Sequence, residues 1–156
     1  PRAATLTVPA KQTQTTRPSA REHRISGDRR VEYDPEQVSL DALLLAYFYV
    51  IDPTVENRQG NDRGSQYQTG VYYTNDKAKE TVERIARIEQ GRSGQFFVEI
   101  GPLKTYYPAE EYHQNYLEKN PNGYCHIPRA EMELLSGLRI DPGNYKSLLW
   151  NSFLTN

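Results

Sequence analysis

Among the side chains whose types could carry chemistry are Asp62, Tyr67 and Cys125. Asp62 lies between Gly60 and Gly64, and an acid in such a turn can be a general acid, a metal ligand or, most commonly, a structural cap. Tyr67 adds a hydroxyl donor to the same loop. Cys125 is the single cysteine of the chain, so its thiol is either an accessible reactive group or, more commonly, an inert small side chain. The residue types alone leave these alternatives open.

The loop that holds Asp62 is the stretch Ile51–Tyr73, IDPTVENRQGNDRGSQYQTGVYY. An Asp-Pro pair near its start favours a turn, and two glycines allow the backbone to bend sharply on both sides of Asn61. The last residues, Gly70–Tyr73, are mostly β-branched or aromatic and predict a strand directly after the loop. Because a polar loop on a rigid support is a common place for a site, we expect the functional residues here.

A further pair, Glu110 and His113, is spaced i and i+3 on a predicted helix. These side chains could bind a metal ion from one helix face, but no third ligand stands at a familiar spacing. A surface histidine paired with a carboxylate is the more common result of this spacing. We therefore predict no metal site, and no cofactor is predicted either.

The composition predicts one domain with an additional tail. The chain has 156 residues, of which 37% are hydrophobic, and this low fraction indicates that part of the chain takes no share in a core. No apolar run approaches the roughly 18 residues of a membrane span, and the N-terminus has no apolar stretch of the signal-peptide type. The single cysteine suits a reducing compartment. These features predict a cytoplasmic protein with no membrane partner.

Residues 1–30 differ from the rest of the chain in charge and composition. They hold seven Lys/Arg against two Asp/Glu, so they carry +5 while the remainder carries −6. They contain no Phe, Tyr, Trp or Cys and show neither a strand period nor a helix period. A nucleic-acid-binding tail is one interpretation, but it lacks the clustered basic residues and interleaved aromatics that such binding uses. We therefore predict a disordered segment and no nucleic-acid partner.

Beyond residue 30 the pattern alternates between strands and helices. A short strand is predicted at Val31 and Tyr33, and Ser39 is placed to cap a helix. The order of elements predicts an α/β or α+β two-layer sandwich with a mixed sheet. The later predicted elements are strand 71–73, a helix from Asp76 with Val82, Ile85, Ala86 and Ile88 facing inward, strand 95–103, a helix over 109–119 with Tyr112, Tyr116 and Leu117 placed to pack, and weak amphipathic pieces at 132–138 and 145–154.

Three long blocks of sequence, in one order, give the chain a family resemblance. They are VEYDP at Val31–Pro35, DPTVENRQGNDRGSQYQTGVYY at Asp52–Tyr73, and AEEYHQNYLEKNPNGYC at Ala109–Cys125. The chain here resembles the C-terminal two thirds of the A-type peptide methionine sulfoxide reductases. The resemblance divides the chain into a non-homologous tail over 1–30, a reductase domain over 31–127 and a C-terminal extension over 128–156.

The resemblance implies an α/β two-layer fold and the reduction of methionine-S-sulfoxide, free or in proteins, with thioredoxin supplying the electrons. In that family a low-pKa cysteine attacks the sulfoxide sulfur, and a second cysteine then forms a disulfide with the resulting sulfenic acid. By resemblance, Asp62 and Tyr67 match loop residues that hold and polarise the sulfoxide oxygen. Cys125 matches the resolving cysteine near the C-terminus of many members.

The chain departs from the family pattern at its start. The attacking cysteine of the family lies in a GCFWG motif, whose Phe-Trp pair forms a wall for the substrate methyl group, and this sequence has neither. A catalytic glutamate expected in a T-G-x-x-E-T-V pattern is also absent, since residues 24–30 read RISGDRR. Residues 1–30 could be a reading-frame shift of an ordinary family start. We expect a weakly active or inactive reductase; the alternatives are a noncatalytic sulfoxide-binding module and a frame-shift product without function.

Overall fold

The computed structural model describes residues 2–6, 29–104, 115–123, 125 and 127–146. These ranges contain six strands, four helices and a 3-10 turn at Ser65–Tyr67. The strands are β1 (Arg2–Leu6), β2 (Arg29–Tyr33), β3 (Arg58–Gln59), β4 (Asp62–Arg63), β5 (Gly70–Tyr73) and β6 (Glu99–Pro102). The helices are α1 (Leu40–Val50), α2 (Asp76–Ser93), α3 (Tyr116–Lys119) and α4 (Arg129–Ser136).

Helix α1 begins where the sequence predicts it. Ser39 is its N-cap, because the side-chain oxygen accepts a 3.1 Å hydrogen bond from the Ala42 N–H. Leu44 and Tyr47 on its inner face are buried. The Tyr47 hydroxyl donates a 3.0 Å hydrogen bond to the Gly70 carbonyl, and this bond fixes α1 against β5.

Helix α2 is amphipathic, as predicted. Its N-cap is Asn75, whose side-chain oxygen accepts a 2.9 Å hydrogen bond from the Ala78 N–H, and its C-cap is Gly94, with a φ of +75°. Glu89 is also fully buried, which the sequence pattern did not predict. The predicted inward residues are all buried or half-buried: Val82, Ile85, Ala86 and Ile88.

The main sheet has the strand order β2-β1-β5-β6. Strand β1 pairs antiparallel with both β2 and β5, whereas β5 pairs parallel with β6, so the sheet is mixed as predicted. Val71 of β5 and its register partner Ile100 of β6 face the core, as do Val31 and Tyr33 of β2. Helices α1 and α2 pack on that face. The result is the predicted two-layer α+β architecture.

The first residues of the chain differ from the prediction of disorder. Arg2–Leu6 forms β1, which lies between β2 and β5 and pairs with β2 along its whole length. A strand between two others is held by backbone hydrogen bonds to neighbours that are distant in sequence, and local composition does not report such bonds. Residues 7–28 lie outside the described ranges, so a boundary at residue 30 remains a prediction.

A segment after α4, the C-terminal strap (residues 137–146), packs against α1 and α2. Leu138 and Ile140 pack against the core cluster, and Tyr145 belongs to it. Part of the predicted C-terminal extension is therefore a component of the core. Three hydrogen bonds fasten the strap: the Ser39 hydroxyl to the Ile140 carbonyl at 2.5 Å, the Gly143 N–H to Asp41 Oδ1 at 2.8 Å, and the Tyr145 hydroxyl to Glu89 Oε1 at 2.6 Å.

The helix predicted over 109–119 is described only in part. Residues 105–114 lie outside the described ranges, and the described part is the single turn α3. Leu117 was expected to pack but is 39% exposed, because one helical turn presents no continuous apolar face to the core.

The strand predicted over 95–103 is shorter, since β6 begins at Glu99. No helix in the described ranges combines the length and the apolarity needed to cross a membrane.

Candidate functional site

The polar loop folds as a small hairpin followed by the 3-10 turn. Strands β3 and β4 pair antiparallel with Gln59 opposite Asp62, so Gly60 and Asn61 form the connection. Gly60 has a φ of +54°, in the left-handed region that favours glycine. The Arg58 Nε donates a 2.7 Å hydrogen bond to the Gly60 carbonyl, which braces the turn. The hairpin therefore places Asp62 at a defined position on an exposed arm.

Asn57 and Gly64 close the hairpin at its base. The Gly64 N–H donates a 2.9 Å hydrogen bond to the Asn57 carbonyl, and Asn57 itself has a left-handed φ of +51°. Asparagine tolerates this backbone region better than most residues do. The 3-10 turn follows at once, and the Tyr67 N–H donates a 3.0 Å hydrogen bond to the Gly64 carbonyl. The 3-10 turn, which ends at Tyr67, therefore connects the hairpin to the stretch that leads into β5.

Asp62 and Tyr67 therefore lie on neighbouring parts of one compact loop. Strand β4, which carries Asp62, contacts the 3-10 turn, which carries Tyr67. Asp62 is exposed, whereas Tyr67 is half-buried. Tyr67 is therefore the more enclosed of the two side chains. That the two side chains converge on one pocket stays a prediction.

Gln68 is the most extensively hydrogen-bonded side chain of this loop among the described residues, and the sequence analysis did not identify it. Its amide oxygen accepts a 2.8 Å hydrogen bond from the Asn57 N–H, and its amide nitrogen donates to the carbonyls of Thr69 and Phe97. The residue is only 6% exposed. Glutamine in a polar loop is usually a solvated side chain, so no local signal distinguished this one.

A tyrosine–carboxylate pair joins β5 to β6 and was also not predicted. The Tyr72 hydroxyl donates a 2.6 Å hydrogen bond to Glu99 Oε2. Its ring lies close over Gly70, since a Cβ atom on Gly70 would come within 2.8 Å of the hydroxyl oxygen. Gly70 and Glu99 are register partners. Only the parallel register of β5 and β6 brings this pair together, and that register is not visible in the local sequence.

The two buried acids of the helices anchor the C-terminal strap. Asp41 accepts a 2.5 Å hydrogen bond from Arg84 and a 2.8 Å hydrogen bond from the Gly143 N–H. Glu89 accepts its hydrogen bond from Tyr145. Burial, followed by this hydrogen bond, raises the pKa of the Tyr145 hydroxyl above its ordinary value. Both acids therefore have a structural role in holding the end of the chain.

Cys125 lies between α3 and α4 and is a half-buried free thiol. The chain beyond it runs through α4 into the fastened strap, so the thiol is tethered on its C-terminal side. Glu110 and His113, the pair considered for a metal, lie outside the described residues. Within the part of the chain that the structure describes, no group of three or more His, Cys, Asp or Glu side chains could hold a metal ion.

The fold and the loop define a class of protein: a two-layer α+β domain that presents an acid and a tyrosine on one braced hairpin and turn. The sequence model of one family, described as peptide methionine sulfoxide reductase, matches residues 22–136. The chain belongs to this family. The match begins before residue 31, so it includes the end of the segment predicted to be non-homologous. It ends at Ser136, the last residue of α4 and just before the strap.

Three relatives with the name peptide methionine sulfoxide reductase MsrA show the same likeness. The protein of Clostridium acetobutylicum is 50% identical over 100 residues, which cover 64% of this chain and 62% of the relative. Those of Alkaliphilus metalliredigens and Mycoplasma genitalium are 49% and 48% identical over 98 and 99 residues, covering 62% and 63% of each chain. This chain therefore spans less than two thirds of the length of these curated relatives.

Solved structures of the same kind share the fold. Mxr1 from Saccharomyces cerevisiae in its reduced form has a TM-score of 0.59 and 30% identity, over 80% of this chain and 72% of the yeast chain. Methionine sulfoxide reductase A of Corynebacterium diphtheriae has a TM-score of 0.51 and 40% identity, over 62% of this chain and 52% of the other. The predicted fold class is confirmed.

Proposed function

We propose that this chain is the sulfoxide-binding part of a methionine-S-sulfoxide reductase that acts on the free amino acid or on oxidised proteins. The observation that supports this is the placement of Asp62 and Tyr67 on touching parts of one loop, in a chain that belongs to this family. A sulfoxide oxygen accepts hydrogen bonds, so the Tyr67 hydroxyl is a suitable donor. An acid beside it can supply a proton as the S–O bond breaks.

The full reaction needs two thiols in turn. A thiolate attacks the sulfoxide sulfur, methionine departs, and the oxygen stays on the attacking sulfur as a sulfenic acid. A second thiol then displaces that oxygen as water and forms a disulfide, which a dithiol such as thioredoxin reduces. Cys125 suits the second role, and the 156 residues contain no other cysteine. The chain by itself is therefore proposed to reduce sulfoxide weakly or not at all.

The test is methionine production from methionine-S-sulfoxide by the purified chain, with dithiothreitol or thioredoxin as reductant. The Clostridium acetobutylicum relative is the positive control, and Cys125→Ser is assayed alongside. We expect a rate several orders of magnitude below the control, because removal of a covalent nucleophile has effects of about this size. Turnover near that of the control, lost in Cys125→Ser, would show that Cys125 itself attacks the sulfoxide.

A second candidate function is a noncatalytic module that binds sulfoxide-containing peptides. The braced 57–68 loop, in a chain without a second cysteine, favours this candidate. Calorimetry with methionine-S-sulfoxide and, as the matched control, methionine separates the two: binding of the sulfoxide alone, without turnover, indicates the module. If the chain shows no binding and no turnover, the result favours a frame-shift product without function. The coding DNA before Val31 tests that alternative directly.

A cytoplasmic location completes the proposal. It is supported by the single cysteine, which suits a reducing compartment, and by the need of the reaction for a dithiol reductant. Oxidised proteins and thioredoxin are the proposed partners.

A further inference from the structure

The Gln68 side chain joins three separate parts of the backbone. Its amide oxygen accepts from the Asn57 N–H at 2.8 Å, which ties it to the residue where the hairpin begins. Its amide nitrogen donates to the carbonyl of Thr69, next to β5, at 3.2 Å, and to the carbonyl of Phe97, just before β6. Both the donor and the acceptor of the amide are therefore used, in a residue that is 6% exposed.

The bond between Gln68 and Asn57 closes the whole functional loop at its base. Asp62 and Tyr67 both lie between these two residues, which are 11 positions apart. The inner bond from the Gly64 N–H to the Asn57 carbonyl closes only the hairpin, so it leaves Tyr67 outside. Gln68 is the immediate neighbour of Tyr67, and it links the turn that carries Tyr67 to the stretch before β6.

Two buried polar atoms in residues bonded to Gln68 already lack hydrogen-bond partners within the described part of the chain. Among the described residues, neither the buried side-chain oxygen of Asn57 nor the buried hydroxyl of Thr69 has a hydrogen-bond partner. Without the Gln68 amide, the Asn57 N–H would lose its acceptor and the Phe97 carbonyl would lose a donor in the same region. A buried polar group without a partner is unfavourable, so the loop would move to find water or another partner.

We propose that Gln68 is the positioning residue of the sulfoxide-binding loop: its amide holds the base of the loop so that Tyr67 and Asp62 are presented in one fixed arrangement. The expected effect of Gln68 on ligand binding rests on the proposed function. Its expected effect on the order of the loop rests on the geometry alone. Gln68 does not touch the sulfoxide in this scheme. It acts through the backbone of Asn57 and Tyr67.

The side chain must be an amide of this length to fill the role. Gln68→Met keeps nearly the same shape but removes both the donor and the acceptor. Gln68→Glu keeps an acceptor for Asn57 and removes the donor to Phe97 and Thr69. Gln90, exposed on α2, provides the matched control as Gln90→Met.

The first measurement is hydrogen exchange by NMR, and it needs no ligand. In Gln68→Met we expect the amides of Asn57, Gly64 and Tyr67 to exchange about tenfold faster or more, while that of Ile85 in the core of α2 keeps its protection. Gln68→Glu should release Tyr67 more than Asn57, because the acceptor remains. The Gln90→Met control should match the wild type. Unchanged exchange at all three loop amides in both Gln68 variants would overturn the proposal.

The second measurement is a titration with N-acetyl-methionine-S-sulfoxide methylamide, followed through the ring signals of 13C-labelled Tyr67. We expect the dissociation constant to rise about fivefold to tenfold in Gln68→Met, the size of effect typical for loss of a pre-organised loop, and to stay unchanged in Gln90→Met. Tyr67→Phe, assayed by calorimetry, should also weaken binding.

The two measurements separate failure of the positioning role from failure of the proposed function. If the wild type binds the probe and Gln68→Met binds it equally well, Gln68 does not position the loop and the proposed function stands. If the wild type does not bind the probe at all, the proposed function fails, and the exchange rates still decide whether Gln68 holds the loop. Should Gln68→Met lose the protection of Ile85 and hence the fold, Gln68→Glu supplies both readouts.

Discussion

The Tyr145 hydroxyl donates a 2.6 Å hydrogen bond to Oε1 of Glu89, a carboxylate with no exposed surface. This contact joins the C-terminal strap to the C-terminal half of α2 across 56 positions of sequence. Among the described residues the other carboxylate oxygen, Oε2, has no partner. The hydroxyl of Tyr145 is therefore the main compensation for burying this acid.

Removal of that hydroxyl should destabilise the domain. We expect Tyr145→Phe to lower the free energy of unfolding by about 2 kcal/mol, because the buried Glu89 carboxylate would be left without a partner. Urea unfolding followed by circular dichroism measures the change. Tyr49→Phe is the matched control on α1, where Tyr49 is only half-buried. Adding Glu89→Leu to Tyr145→Phe should restore part of the loss; an unchanged midpoint in Tyr145→Phe would contradict the anchoring role.

The same tyrosine should make stability depend on alkaline pH. Burial and the hydrogen bond to Glu89 raise the pKa of Tyr145 above the ordinary value of 10.0. A raised pKa means that above about pH 10 the folded state binds the proton more tightly than the unfolded state, so stability falls as pH rises through this region. The slope due to one group is about 1.4 kcal/mol per pH unit at most. Urea unfolding at several values between pH 9 and pH 11 should show this decline in the wild type and a shallower one in Tyr145→Phe.

A second anchor of the strap can be tested through Arg84. Asp41 is 2% exposed and is paired with Arg84 at 2.5 Å, while the arginine side chain is 35% exposed. We expect Arg84→Met to cost about 2 kcal/mol of stability, less than for a fully buried pair because solvent screens the arginine end. Arg87→Met, an exposed change on the same helix, should have almost no effect. Equal midpoints for the two variants in urea would show that Asp41 does not depend on Arg84.

Contacts within one element were predictable from the sequence, and contacts between distant elements were not. The Ser39 cap and the inward face of α2 follow from patterns that span a few residues, and both are confirmed. The burial of Glu89 was not predicted, because its partner, Tyr145, comes from the strap. The pairing of β1 was missed for the same reason, since its two neighbours are separated from it along the chain.

The candidate site shows the same division. The turn residues and the strand at Gly70–Tyr73 predicted where the polar loop lies, and the family motifs indicated Asp62 and Tyr67. The Gln68 amide was missed, because its bond to Phe97 spans 29 positions. Local turn chemistry locates a loop, but long-range hydrogen bonds hold it in place.

The close approach of Tyr72 to Gly70 gives the sharpest test of the site's supporting sheet. A methyl group at Gly70 would come within 2.8 Å of the Tyr72 hydroxyl oxygen and 3.0 Å of its ring, so Gly70→Ala must displace the ring and strain its bond to Glu99. We expect a loss of about 2 kcal/mol in the free energy of unfolding, as is typical for overpacking. Gly101, the register partner of Tyr72 on β6, has open space around it, so Gly101→Ala is the matched control and should change stability little. Combining Gly70→Ala with Tyr72→Ala should cost less than the sum of the two single changes, because the clash is then absent. Urea unfolding of the four variants measures this coupling; additive effects would mean that Gly70 is not needed for the close approach of Tyr72.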